Sequence, residues 1–276
     1  MPTRRATLAR VIRAVDAPPT LFESASFQTD VLRALDPELS VLRYGRRWRL
    51  STPQMYEARW LWGKLGFESS RIAEAVRYDA VRHDFVITPG AEEVGTFTHY
   101  VLDTTNQYLL FEERPPDIKR QSFLGAFKEL LETTENEVRL TVEPVYDPSD
   151  FASWLTTVER VTRFRAALRL PNPNWDQRYE AIRAVMEPTK AGHLAIELRP
   201  ADAESGLDAK GTPIEDFADF AAQGYGTTKA SGQVGESRKF WDSGRRARGD
   251  DMTVEPGEAS PSIVQRMVSI IQRLVP

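Results

Sequence analysis

Between residues 106 and 222 the hydrophobic period switches repeatedly between two and 3.6, and that alternation limits the fold more than any other feature of the sequence. Tyr108-Leu109-Leu110-Phe111 reads as a short buried strand ended by Pro115-Pro116. Asp117 can cap a helix running through Leu131, with Ile118, Phe123, Leu124, Phe127, Leu130 and Leu131 as its apolar positions. Val138–Val145 alternates as a strand, and Asp147-Pro148-Ser149 opens a helix carrying Phe151, Trp154, Leu155 and Val158. A strand over Val161–Leu170 stops at Pro171-Asn172-Pro173-Asn174; Trp175–Met186 is helical by period, His193–Leu198 a strand and Ile214–Ala222 a helix. The order predicts a mixed α/β, or α+β, layer fold and leaves open whether its strands run parallel.

The flanks differ. The first forty residues are poorly periodic, with Ala-Pro-Pro at 17–19 before a short helix over Leu21–Leu35. Leu42–Leu50 reads as one strand and Glu57–Phe67 as a Trp-rich extended segment; Val81–Ile87 and Thr96–Asp103 are strands separated by Thr88-Pro89-Gly90. Residues 224–250 contain six glycines and predict a mobile hairpin or loop, and Ser260–Leu274 predicts an amphipathic helix that docks on its own domain. The expected organisation is a β-rich region over 1–104, an α/β core over 105–232, and a basic arm with a C-terminal helix over 233–276, the last part joining the core or standing apart.

Much chemistry is missing from the residues. Without a cysteine there is no disulfide framework, thiol nucleophile or cysteine-ligated metal. His83, His99 and His193 are far apart and in no zinc-binding spacing, and the adjacent pair His83-Asp84 on a strand would point to opposite faces. No phosphate-cradling Gly-rich motif with its lysine is present, Gly224-Tyr225-Gly226-Thr227 included, and no Gly-x-Ser-x-Gly elbow. The doublets Glu92-Glu93, Glu112-Glu113 and Asp250-Asp251 read as solvated faces or turns. No catalytic residue, metal or cofactor is therefore expected. Met1–Arg10 leads into VIRAVDAPP rather than an apolar run, and no stretch approaches the ~20 apolar residues of a membrane span, so the expected location is the cytoplasm.

The positive signal is the placement of arginine. Strand periodicity in Val161–Leu170 puts Arg163, Arg165 and Arg169 on one face and Phe164, Ala166, Leu168 and Leu170 on the other. Arg43, Arg47 and Arg49 alternate in the same way with Tyr44, Trp48 and Leu50, Arg46 being the exception. The Gly-rich segment adds Lys229, Arg238, Lys239, Arg245, Arg246 and Arg248 against Glu236 and Asp242 as a mobile basic arm. Guanidinium rows suit phosphate oxygens, because the planar fork donates two hydrogen bonds and counterion release favours binding. A half-buried strand whose arginines pair with neighbours such as Glu143 or Glu159 would show the same pattern. Trp48 and Trp241 lie near these residues and can be read either as core or as stacking surfaces for unpaired bases.

The middle and C-terminal parts resemble the RexA-type phage exclusion proteins of temperate phages. The resemblance is carried by Tyr108–Phe111, Val142-Glu143-Pro144, Arg160-Val161-Thr162-Arg163 running into Leu168-Arg169-Leu170-Pro171, Leu194–Arg199 and Ser205-Gly206-Leu207, and spans roughly residues 106–232. The N-terminal hundred residues depart from that family's pattern. The resemblance implies a cytoplasmic homodimer that binds double-stranded DNA without strong sequence preference. It implies a role in superinfection exclusion, or abortive infection, with a small RexB-like membrane partner, and it aligns Arg160–Arg163 with the DNA-binding region.

The resulting expectation is a non-enzymatic antiviral DNA-binding protein whose Arg163/Arg165/Arg169 row and 229–248 arm contact phosphates, with the C-terminal helix helping to form a dimer. A net charge of −4 makes that binding modest and salt-sensitive. Two rival readings are a metal-dependent nuclease or nucleotide-modifying enzyme using Glu112, Asp117 or Glu143, and a module whose basic surface binds an acidic protein.

Overall fold

The computed structural model describes residues 3–13, 27–68, 76–87, 95–133, 140–169, 177–202 and 204–275. Its elements follow the chain as β1 (Thr3–Arg13), α1 (Phe27–Ala34), β2 (Ser40–Arg43), β3 (Arg46–Leu50), β4 (Gln54–Tyr56), β5 (Trp60–Glu68), β6 (Val76–Asp79), β7 (Asp84–Ile87), β8 (Gly95–Asp103), β9 (Tyr108–Glu112), α2 (Arg120–Thr133) and β10 (Leu140–Pro144). After these come α3 (Pro148–Leu155), β11 (Arg160–Arg169), α4 (Glu180–Met186), β12 (His193–Leu198), α5 (Pro213–Phe220), β13 (Gly226–Val234), β14 (Ser237–Asp242), β15 (Gly249–Thr253) and α6 (Ser260–Leu274). The fold is mixed α+β, with a β-rich N-terminal part as the sequence predicts. The prolines at 17–19, the first residues of the expected Leu21–Leu35 helix, Thr88-Pro89-Gly90, Glu92-Glu93 and the stop at Pro171–Asn174 lie outside the described residues. His83 sits in the turn before β7, at φ 47°.

Contacts divide the chain at 142/143 and 248/249, whereas the changes of composition fall at 104 and 232. The first unit draws on Met1–Arg13, Ala17–Val142 and Gly249–Pro276; the second is essentially Glu143–Arg248.

The first unit is built on a nine-stranded sheet with the order β10-β1-β9-β8-β5-β3-β2, to which β15 adds beside β1 and β4 beside β5. Leu109 and Phe111 of β9 join Tyr100, Trp48, Leu50 and Leu65 in a core closed by Phe123, Phe127 and Leu130 of α2, with Phe111 and Phe123 stacked at 3.9 Å between ring centres. Period two sends Leu110 to the other face, where it is also buried. α6 packs against β8, β9 and β15. Its buried residues, Ile263, Val264, Met267, Val268, Ile270 and Ile271, are covered by this unit's own sheet. The apolar face of α6 is thus occupied within the chain, docked on its own unit as the sequence predicts.

The second unit is a four-stranded antiparallel sheet in the order β12-β11-β13-β14. Phe164 on β11 meets Phe151 of α3 and Phe217 of α5, and Trp241 on β14 lies 5.4 Å from Phe151, 6.0 Å from Tyr146 and 6.4 Å from Trp154 between ring centres. The Tyr146 hydroxyl donates to the Ala218 carbonyl at 2.7 Å, and Trp241 Nε1 donates to Thr228 Oγ1 at 3.1 Å, whereas the Trp154 indole nitrogen is buried without a hydrogen-bond partner. The ends of the unit meet: the Arg248 amide donates to the Val145 carbonyl at 2.7 Å.

Asp147 caps α3 as the sequence predicts, accepting from the Ser149 amide at 2.9 Å and hydroxyl at 2.7 Å. These bonds, the hydroxyl first and aided by the Arg248 charge, hold its carboxyl below the usual carboxylate range. Asp147→Ala is expected to cost about 1 kcal/mol in urea denaturation at neutral pH. The folded-state pKa is lowered, so the cap's ionic contribution is complete above the unfolded value near 3.8 and is lost as pH falls through the folded one.

The Gly-rich segment is not a mobile arm. Residues 226–242 form β13 and β14, and β13 is an interior strand between β11 and β14. Its glycines are there for close approach: a Cβ on Gly226 would lie 2.1 Å from the Ala167 carbonyl oxygen, and one on Gly232 would lie 2.7 Å from a Val158 methyl.

Candidate nucleic-acid interface

One face of the second unit's sheet is apolar and carries α3 and α5 against Phe164; the other is open to solvent at Arg165, Lys229 and Phe240. Arg163, Arg165 and Arg169 project from β11 on that open face, opposite buried Phe164, Ala166 and Leu168, as strand periodicity requires. Register adds the rest. Arg165 stands directly across from Lys229 on β13 and from Glu197 on β12; Lys229 stands across from Asp242 on β14. Arg163 is in register with Ser231, which is in register with Phe240. Beyond Asp242, Arg245 and Arg246 close the end of a groove of about 750 Å³ floored by these residues, and a shallower groove of about 350 Å³ on the same face lies between Ala195, Arg165 and Thr227.

The charge of this face is only partly compensated. Glu197 is shared by three guanidinium groups: Arg163 donates to Oε1 at 3.1 and 2.8 Å, Arg165 to Oε2 at 2.8 Å and Arg199 to Oε1 at 2.6 Å. Hydrogen bonding from Arg199, then from Arg165, holds the Glu197 carboxyl below the usual range. Asp242 lies 3.8 Å from Lys229 and 3.7 Å from Arg245, and Asp150 lies 3.8 Å from Arg246. Six cations therefore stand against three carboxylates. Arg165 and Lys229 form a like-charge cross-strand pair, an arrangement that costs stability. Solvent-exposed ion pairs are worth about 0–1 kcal/mol, so an incoming phosphate can replace Glu197 or Asp242 at little cost.

Other expected contacts lie elsewhere. Arg160 precedes a bulge between Val161 and Arg163; it donates to Gln233 Oε1 at 2.9 and 3.3 Å and to the Glu204 carbonyl at 3.0 Å, tying β11 to the turn at Ser205-Gly206-Leu207. Arg169 lies 3.4 Å from Glu143, the pairing that a half-buried strand predicts. Arg238 shares the parity of Phe240 and forms no ion pair with a described residue, whereas Lys239 points to the opposite side and donates to the Thr157 carbonyl at 3.1 Å. Arg248 lies near Asp147 rather than in the groove.

The Arg43/Arg47/Arg49 row does not exist as one face. Tyr44 and Gly45, at φ 55° and 72°, form a two-residue hairpin turn that splits the segment into β2 and β3. Arg43 pairs in register with Arg46 on the face of Val41 and Trp48, where it donates to Glu129 of α2 at 2.8 Å, while Arg47 and Arg49 project from the other face. Arg49 lies 4.8 Å over the ring of Tyr78, and Arg47 is exposed. Trp48 and Trp241 are fully buried core residues, unavailable for stacking. The exposed aromatic on the basic face of the second unit is Phe240; Tyr44, in the hairpin turn of the first unit, is exposed as well.

Two of the three carboxylates weighed as metal ligands, Glu112 and Glu143, have other partners. Glu112 is buried, with Arg4 Nη1 at 3.1 Å from both its oxygens and His99 Nδ1 at 3.3 Å; Glu143 faces Arg169, and the Asp117 carbonyl accepts from Arg46. Among the described residues no group of three or more His, Cys, Asp or Glu side chains is placed to hold a metal ion. His99 Nε2 lies 3.1 Å from Ser260 Oγ, so Ser260, His99 and Glu112 stand in the order of a hydrolase triad. Pro261 follows Ser260 and offers no N–H, and the Ser262 and Ile263 amides both donate to the Ala259 carbonyl. The contacts tie the start of α6 to β8 and β9.

No protein-family model matches the chain, and no curated protein is significantly similar to it. Among the described residues no helix is long and apolar enough to cross a membrane.

Proposed function

We propose that the protein binds DNA without sequence preference through the open sheet face of its second unit, in the exclusion of superinfecting phage that its resemblance to RexA-type proteins implies. A homodimer and a small RexB-like membrane partner belong to the same reading. The observation that carries the DNA-binding part is the cluster of Arg163, Arg165, Arg199, Lys229, Arg245 and Arg246 on a solvent-open face, with three guanidinium groups sharing the single carboxylate of Glu197. Such a surface neutralises backbone phosphates and reads no base edges, so it supports affinity with little specificity.

Fluorescence polarisation on random-sequence DNA tests it. Binding at about 50 mM salt should weaken steeply by 200 mM, and Arg163→Ala with Arg165→Ala should flatten the slope of log K against log salt by about 0.9 for each phosphate contact removed. Both side chains are solvent-exposed, so the double variant should unfold at the wild-type denaturant midpoint. Absence of binding at low salt, or an unchanged slope in the double variant, would exclude this surface as the DNA site.

A further inference from the structure

We infer that the DNA held on this face is unpaired, with a base stacked on Phe240; the inference rests on the DNA-binding reading above and specifies its substrate. Two neighbours on β14 part ways: Trp241 is 2% exposed and enters the core, while Phe240 is 74% exposed on the basic face. A phenyl ring turned out of a well-packed strand has no role in the core. In this groove it is an apolar surface among cations, which matches a ligand that is both anionic and able to offer flat apolar faces.

Duplex DNA does not fit that description, because its base faces are stacked inside and only phosphates and groove edges reach a flat sheet. An unpaired strand presents both features, and base–aromatic stacking is tolerant of sequence. The register provides room. Ser231, a small residue, separates Phe240 from Arg163, and two strand spacings of ~4.8 Å put the backbones of those two residues roughly 10 Å apart. Lys229 and Arg245 lie together at Asp242, beyond the ring along β14, and Arg163 lies across Ser231, so phosphates beside a stacked base meet cations there. A second copy of the same face would bring like charge against like charge, so self-association through this surface is disfavoured.

The test compares full-length wild type, Phe240→Ala, Phe240→Trp and the Arg163→Ala/Arg165→Ala variant on labelled oligo(dT) of about 20 nucleotides and on a duplex of equal length, at low salt. Wild type is expected to prefer the single strand. Phe240→Ala should weaken oligo(dT) binding roughly five- to a hundredfold and leave duplex binding unchanged, and Phe240→Trp should retain the preference. The arginine variant should weaken both. If Phe240→Ala binds oligo(dT) like wild type while the arginine variant loses affinity, the stacking inference is overturned and the DNA-binding reading stands. If wild type binds neither ligand, the reading itself fails.

Discussion

Glu112→Gln is expected to destabilise the protein by about 3 kcal/mol or more, read as a lower denaturant midpoint at unchanged m-value. Glu112 is 0% exposed on β9 and gathers Arg4 of β1, the backbone amide and ring of His99 on β8 and, through His99, the Ser260 hydroxyl at the start of α6. Burial alone would raise its pKa, but hydrogen bonds and charge from His99 and Arg4 outweigh it and leave the carboxyl below its usual value. A depressed folded-state pKa stabilises the ionised form, so the contribution is complete above the unfolded value near 4.5 and disappears as pH falls through the folded one. The gap between wild type and variant should therefore narrow in acid. A gap that stayed constant from pH 7 to about 3 would show that the ionised carboxylate is not what holds these elements together.

Trp241→Ala should be as damaging, at about 3–5 kcal/mol, because it empties the centre of the aromatic cluster formed by Phe151, Trp154 and Tyr146 and leaves Thr228 without its indole donor. The adjacent Phe240→Ala should change stability by no more than about 0.5 kcal/mol, since its ring already stands in water. Thermal unfolding of the two variants side by side measures the period of β14 directly: equal losses would mean that the strand does not place these neighbours on opposite faces.

The sequence was most readable where a single strand or helix carried its own pattern. β11 alternates from Arg163 to Arg169, so the basic row and its apolar underside follow from period two; α6 and the Asp147 cap are similarly local. Misreadings arose where a turn or a neighbour decided the outcome. The two-residue turn at Tyr44-Gly45, in left-handed conformation, moves Arg43 to the face of Trp48, opposite Arg47 and Arg49, which one strand over 42–50 would have placed beside it. In β13 the glycines that read as a loop are there because Ala167 and Val158 lie too close for a Cβ. Glu197, Arg199 and Phe240 escaped notice because each matters only through its cross-strand register, which the hairpin or loop expected over 224–250 left unassigned.

The hydrogen bond from Arg248 to Val145 has a consequence for how such a chain can be made and altered. It brings the entry and exit of the second unit to neighbouring positions, between stretches that both belong to the first. A cassette with adjoining ends can be removed, exchanged or lengthened while the host sheet closes over a short splice. During synthesis the cassette is complete before β15 and α6 have been added, so the host is the unit that must wait for the last segment to seal its sheet.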